Sequence, residues 1–393
     1  MRAVTWQGKR KVSVEDVPDP VIQEPNDIII KVTSTCICGS DLHLYEVMAP
    51  FMEKGDIMGH EPMGIVTEIG SDITNVKVGD RVVIPFNVSC GHCAMCTQGL
   101  QSQCETTQVT EYERGASLLG FSKLYGHIPG GQAEYLRVPQ AQYGPIVIPH
   151  EGPDDRYVFL SDVLPTAWQG VEYADIPEGG SVVVMGLGPV GDMATRIAKY
   201  RGARVIAVDL VPERLQRAKD NGVEVIDLSE HEKDLKEVIL KMTDGRGADA
   251  VIDAVGTEAH GSPVEKFVQD AAGLLPDAVA ENVFTKAGID RMAALHSAID
   301  AVRRGGTVSI LGVYSGKADP MPLDTMFDKQ IQFRMGQANV KRWIDDILPL
   351  LTDEDPLGVD TFATHHLPLE DAAHAYEIFQ KKEDGAVKII LKP

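Results

Sequence analysis

The chain has 393 residues, 44% of them hydrophobic, and its 58 acidic against 37 basic side chains leave a formal net charge of −21. That composition suits a folded chain of about two or three domains; its negative surface repels nucleic acid and anionic lipid, and no apolar run approaches the ~20 residues that span a bilayer. The chain opens Met1-Arg2-Ala3-Val4 without an apolar signal segment and carries only six cysteines, so a reducing, cytoplasmic setting is expected, with neither nucleic acid nor membrane as partner.

Short alternating or apolar runs separated by Gly, Pro, Asp and Asn predict strands over Ile28–Val32, Gly64–Ile69, Arg81–Pro85, Ala133–Val138 and Ile146–Ile148. Two sets of metal-ligating side chains lie in this β-rich part. The first, Cys38-Gly39-Ser40-Asp41-Leu42-His43 followed by Gly59-His60-Glu61, mixes one thiol with imidazoles and carboxylates, the composition of a catalytic zinc that keeps one position open. The second puts Cys90, Cys93, Cys96 and Cys104 on one loop, at intervals of two, two and seven residues, as a closed tetrahedral zinc site requires. Two disulfides inside so tight a loop would be strained, which favours zinc over the alternative. His92 is superfluous to four thiolates and is expected at the surface. Cys36, alternating with Cys38 in an apolar context, reads as a small core hydrophobe.

From Ser181 the pattern changes to buried strands alternating with amphipathic helices. Strands are predicted over Ser181–Met185, Arg204–Asp209, Ala250–Asp253 and Thr307–Leu311, with helices over Val190–Arg201 and Pro212–Asn221 between the earlier ones. Near-continuous apolar strands in a β-α-β series imply a parallel sheet covered on both faces. Gly186-Leu187-Gly188-Pro189-Val190-Gly191 follows the first of these strands and opens a helix, and Asp209 ends the next strand about 20 residues on, as a dinucleotide fingerprint requires. Gly186 makes the tight turn, Gly188 lets the backbone approach a pyrophosphate, and Gly191 lets helix and strand pack closely. Pro189 and Val190 begin the helix whose free N–H groups and dipole favour that anion. Asp209 selects NAD if it accepts hydrogen bonds from the adenosine ribose and repels a 2′-phosphate; its alternative is to cap a turn. Arg214 is the kind of residue that an NADP enzyme would use.

These motifs together resemble the zinc-containing medium-chain alcohol dehydrogenases over essentially the whole chain. The resemblance implies an α/β protein: a GroES-like β-rich catalytic domain over 1–164 and 338–393 holding two zinc sites, and a Rossmann doubly wound NAD-binding domain over 165–337. Alcohol dehydrogenases commonly have a cysteine where Asp162 stands in Ser161-Asp162-Val163-Leu164-Pro165-Thr166, a departure similar to the glutathione-independent formaldehyde dehydrogenase branch. By that resemblance Cys38, His60 and Asp162 hold the catalytic zinc, Ser40 and His43 relay the alcohol proton, Asp41 orients His60, and Glu61 approaches the metal transiently. A polar histidine with no relay role is the alternative for His43. The same branch uses a long segment, here near 257–300, to cover its NAD; Gly273 and Pro276 interrupt any single helix there, and a surface or subunit-contact excursion is an equal reading.

The expected activity is a zinc- and NAD-dependent oxidoreductase that moves hydride between NAD and a small alcohol or aldehyde hydrate held at zinc. A polyol or threonine dehydrogenase on the same scaffold is the nearest alternative, and a non-catalytic nucleotide-binding redox sensor is the alternative of another class. A homo-oligomer, dimer or tetramer, is expected through the strand edge Ile331–Met335. His127 and the pair His365-His366 read as structural, and Trp168 is left between the nicotinamide pocket and simple packing.

Overall fold

The computed structural model describes residues 1–256, 292–314 and 321–393. The chain divides into two compact units, residues 1–166 with 338–393 and residues 167–337.

The first unit opens with an antiparallel hairpin, β1 (Arg2–Gly8) and β2 (Lys11–Asp16). These two strands were not predicted. The turn residues Lys9 and Arg10 lack the Gly, Asn or Asp that marks a tight hairpin, yet Arg10 takes φ 57°. β3 (Ile28–Ile37), β4 (Pro62–Ile69), β5 (Arg81–Val83), β6 (Tyr135–Val138) and β7 (Ile146–Val147) follow. β3 continues past Val32 to Ile37, because its second half pairs with Ile389–Lys392 and with the start of β4. Ser34, Thr35 and Cys36 are buried by that pairing. Ile28, Ile30 and Val32 alternate inward against Val66, Val82 and Leu136, as a strand with period-two side chains dictates. A second core gathers Ile37, Leu44, Met58, Tyr376 and Phe379 beneath the helix Gly39–Tyr45.

Among the described residues of the second unit six parallel strands form one sheet: β8 (Ser181–Met185), β9 (Arg204–Asp209), β10 (Glu224–Asp227), β11 (Ala248–Asp253), β12 (Val302–Ile310) and β13 (Gln332–Met335). Their order, β10-β9-β8-β11-β12-β13, is that of a doubly wound dinucleotide-binding sheet, with its switch point between β8 and β11. All but the first residue of β8 and of β9 are buried, as strands covered on both faces must be.

Residues 257–291, with Gly273 and Pro276, lie outside the described residues, so the expected cover over the cofactor falls there too. The chain is described again through the helix Ala293–Ala301, whose Leu295, Ala298 and Ile299 pack on the sheet. Among the described residues no helix is long and apolar enough to cross a membrane.

Candidate functional site

β3 delivers Cys38 to the N-cap of the helix Gly39–Tyr45, and Asp41 at the third helical position accepts the Cys38 N–H at 2.9 Å. The other Asp41 oxygen stands 3.0 Å from His60 Nδ1. A carboxylate there fixes the Nδ1–H tautomer and leaves Nε2 as a ligand atom. His60 follows Gly59, whose φ of +96° and contact with Gln132, at 2.7 Å from a would-be Cβ to the backbone nitrogen, leave no room for a side chain.

Asp162 arrives from a different direction. It follows the tight turn Val158–Ser161 and precedes the helix Val163–Ala174, and Thr166 in that helix donates to Asp162 Oδ1 at 2.5 Å. Asp162 Oδ2 is then 3.2 Å from His60 Nε2 and 3.6 Å from Cys38 Sγ. Ligands of a tetrahedral zinc stand roughly 3.3–3.8 Å apart given its bond lengths; these two separations are close to that range, so the donors suit the ion. They are buried together with Glu61, the four ligand atoms within 4.8 Å of one another. Burial pushes the Cys38 thiol pKa up. It opposes a charge on His60, but the neighbouring Asp41 prevails and holds the imidazole well above its ordinary value; for Asp162 burial is outweighed by the hydrogen bond with His60, which holds the carboxyl low.

Ser40 Oγ donates to Cys38 Sγ at 3.2 Å and lies 3.4 Å from His60 Nε2, at the rim of this donor set. His43 is three positions further on the same helix, hence on the same face. Glu61 turns its Oε2 to Lys388, and both side chains are sealed from solvent. Burial raises the Glu61 pKa and Lys388 opposes the rise. Lys388 and Thr166 were missed from sequence; the available signal for Lys388 was a lone lysine embedded in Val387-Lys388-Ile389-Ile390.

The four-cysteine loop is also assembled. Cys93 caps the short helix Ala94–Thr97, and a turn at Gln101–Gln103 leads into Cys104. All six cysteines are free thiols. Backbone amides point at the sulfurs, from Cys90 to Cys104 Sγ at 3.3 Å, from Cys93 to Cys90 Sγ at 3.4 Å and from Glu105 to Cys93 Sγ at 3.4 Å. Against what burial there is, such donors bring Cys93 down to about 6; burial pushes Cys96 up. Four sulfurs within 4.8 Å can ionise together only around a cation, so the set fits a structural zinc. His92 is exposed, as expected, with Nδ1 3.1 Å from the Cys90 carbonyl.

At the end of β8, Gly186 takes φ +84° and a Cβ there would meet Val255 at 2.7 Å; a Cβ on Gly191 would strike the Gly186 carbonyl at 1.8 Å. Gly188 is different. A Cβ there would find only Arg214 Nη1 at 3.8 Å, so the backbone before the helix Pro189–Tyr200 is open to an approaching group. Asp209 is a turn cap here: Oδ1 accepts the N–H groups of Leu210 and Val211 at 2.7 and 2.8 Å, and Oδ2 accepts that of Leu187 at 2.5 Å. Capping does not exhaust a carboxylate, which has about four lone-pair sites. Trp168 packs beneath the Arg201 guanidinium, 4.2 Å from its ring centre.

The alcohol dehydrogenase GroES-like domain family matches residues 24–149, and the zinc-binding dehydrogenase family matches residues 189–266. A zinc-type alcohol dehydrogenase-like protein of Bacillus subtilis is 44% identical over 100% of both chains. Formaldehyde dismutase of Pseudomonas putida is 32% identical over 100% of this chain and 97% of its own. Among solved structures, alcohol dehydrogenase TADH from Thermus sp. ATN1 superposes with a TM-score of 0.82 at 34% identity, covering 100% of this chain and 99% of its own. The chain belongs to the zinc-type alcohol dehydrogenase family, with a GroES-like domain and a Rossmann-type parallel sheet, and is an oxidoreductase of small molecules.

Proposed function

We propose that the chain oxidises small aldehydes in their hydrated form, formaldehyde foremost, and small primary alcohols, using NAD and independently of glutathione. The observation that carries this reading is the donor set itself: Asp162 Oδ2 lies 3.2 Å from His60 Nε2 and 3.6 Å from Cys38 Sγ, which supports Asp162 as third ligand beside them. The similarity to formaldehyde dismutase of Pseudomonas putida supports it.

When bound, zinc supplies a Lewis acid for a substrate oxygen, and NAD supplies the hydride acceptor. Cys38 and Asp162 bring two negative charges and His60 none, which matches a dication. Glu61 adds no net charge, because Lys388 balances it. Ser40 is the group placed to take the substrate proton, its hydroxyl at the rim of the donor set, and His43, on the same helix face, is the next acceptor. In the second unit Gly186, Gly188 and Gly191 with Pro189 and Val190 receive the dinucleotide, and Asp209 and Arg214 flank its adenosine side. The outer edge of β13, where Met335 is 61% exposed, supports an assembly of copies through that strand.

A substrate panel of formaldehyde, primary alcohols, polyols and threonine, each with and without glutathione, tests this. Formaldehyde turnover with NAD that glutathione leaves unchanged is expected. A preference for threonine or polyols overturns the substrate reading, and no turnover by zinc-loaded protein overturns the enzymatic one.

A further inference from the structure

His60 is held through a chain of buried polar side chains that extends beyond Asp41. Gln132, just before β6, is fully buried; its Nε2 donates to the Cys36 carbonyl at 3.1 Å and reaches Asp41 Oδ2 at 3.5 Å. Its Oε1 accepts the hydroxyl of Tyr376, fully buried on the helix Ala372–Lys381, at 2.9 Å. The amide has one workable orientation. A backbone carbonyl and a carboxylate are both acceptors, so they demand the NH₂ end, and Tyr376 must then be the donor.

The Gln132 backbone is pinned as well, donating to Met58 and accepting from Val4, and its Cγ lies 2.3 Å from where a Gly59 Cβ would be. Gln132 therefore packs against the residue that precedes His60. Hydrogen-bond polarity runs one way along the chain, from the Tyr376 hydroxyl to the Gln132 amide to the Asp41 carboxylate, which receives the His60 Nδ1–H on its other oxygen. Without the Tyr376 hydroxyl, the Gln132 carbonyl is left buried and unpaired. The amide is then held at its NH₂ end alone, by the Cys36 carbonyl and Asp41, and its grip on the Asp41 carboxylate loosens.

We propose that Gln132 and Tyr376 are positioning residues for the metal ligand His60, fixing the Asp41 carboxylate so that His60 presents Nε2 to the ion. This rests on the reading of Cys38, His60 and Asp162 as one metal site. Partners behind a metal-bound histidine typically change metal affinity by about 10–100-fold.

The test uses the full chain with zinc in both sites, and with cobalt in the mixed-ligand site. Tyr376→Phe and Gln132→Met should release the metal of that site to a chelator about ten-fold faster and shift the cobalt visible bands, while release from the four-cysteine site stays unchanged. Parental release rates and cobalt spectrum overturn the proposal even where the melting temperature falls, since a packing role alone moves only the latter. If Gln132→Met does not fold, Tyr376→Phe, which removes a single oxygen, decides alone. Cys38→Ala is the control for the underlying site: full retention of both metals in that variant overturns the site and the proposal with it, whereas loss of one metal there beside an unaffected Tyr376→Phe overturns the positioning role only.

Discussion

The Lys388 ammonium is buried against the Glu61 carboxylate, and neither side chain reaches solvent. Lys388 also donates to the Ile37 carbonyl at 3.3 Å, so the C-terminal strand is tied to the end of β3, next to Cys38 of the candidate metal site. Removing one member of a buried pair leaves an uncompensated charge, at a cost of about 3–5 kcal/mol. Lys388→Met should therefore lower the urea unfolding midpoint sharply, and Glu61→Leu in the same chain should recover most of the loss. A double variant no more stable than Lys388→Met would mean that the pair is not the source of the effect.

Metal analysis of protein purified without chelator should find two zincs per chain. Cys38→Ala or Asp162→Ala should remove one of them together with activity and leave the melting temperature nearly unchanged. Cys93→Ser should remove the other and chiefly lower stability, because a closed structural site contributes folding energy directly. A Cys38→Ala protein with parental turnover is the result that rejects this assignment.

How legible these sites were depended on sequence separation. Four thiols on one loop, and three glycines at one strand end, declare themselves because local spacing already sets the geometry. His60 and Asp162 are 102 residues apart, and no local pattern joins them; Asp162 entered only through a resemblance. Lys388, 327 residues from Glu61, had only its apolar neighbours to mark it and nothing to name its partner, and Gln132 and Tyr376 had no mark at all, since their importance lies wholly in what the fold sets beside them. The parallel sheet was readable because β8, β9 and β11 at its centre are nearly continuous apolar, buried runs. β1 and β2 were not, since their turn lacks the residues that announce one.

Acid should weaken the first unit through Asp154. Burial alone would raise the Asp154 pKa, but hydrogen bonds from Ser34 and Arg81, both at 2.5 Å, outweigh it and hold the carboxyl below its ordinary value. A folded pKa below the unfolded one gives stability that is present above the unfolded value of about 4 and is lost as pH falls through the folded value. Arg81→Met should cost about 1.5–3 kcal/mol at neutral pH, and the gap from the parent should narrow as pH is lowered from about 4 downward. Melting temperatures measured across that range check the sign; a gap that stays constant to the lowest pH would show that Asp154 is not the titrating group.

Asp209 is the residue at which capping and cofactor choice meet. Its three backbone hydrogen bonds hold the turn after β9 and the fingerprint residue Leu187 in register, so Asp209→Ala should lower stability by about 0.5–2 kcal/mol, the usual cost of losing a capping side chain. If the carboxylate also meets the adenosine ribose, the same change should weaken NAD and relieve repulsion toward a 2′-phosphate. Losing even about 1.4 kcal/mol of differential binding lowers the NAD to NADP preference ten-fold. Asp209→Asn separates the two roles in part: its amide oxygen still accepts from Leu210 and Val211, its NH₂ end meets the Leu187 N–H donor to donor, and the negative charge is gone. Nucleotide titration by NADH and NADPH fluorescence, run beside thermal melts, reads both. A preference that falls as far in Asp209→Asn as in Asp209→Ala, whatever the two losses of stability, assigns Asp209 to cofactor selection, and an unchanged preference in both variants assigns it to the turn alone.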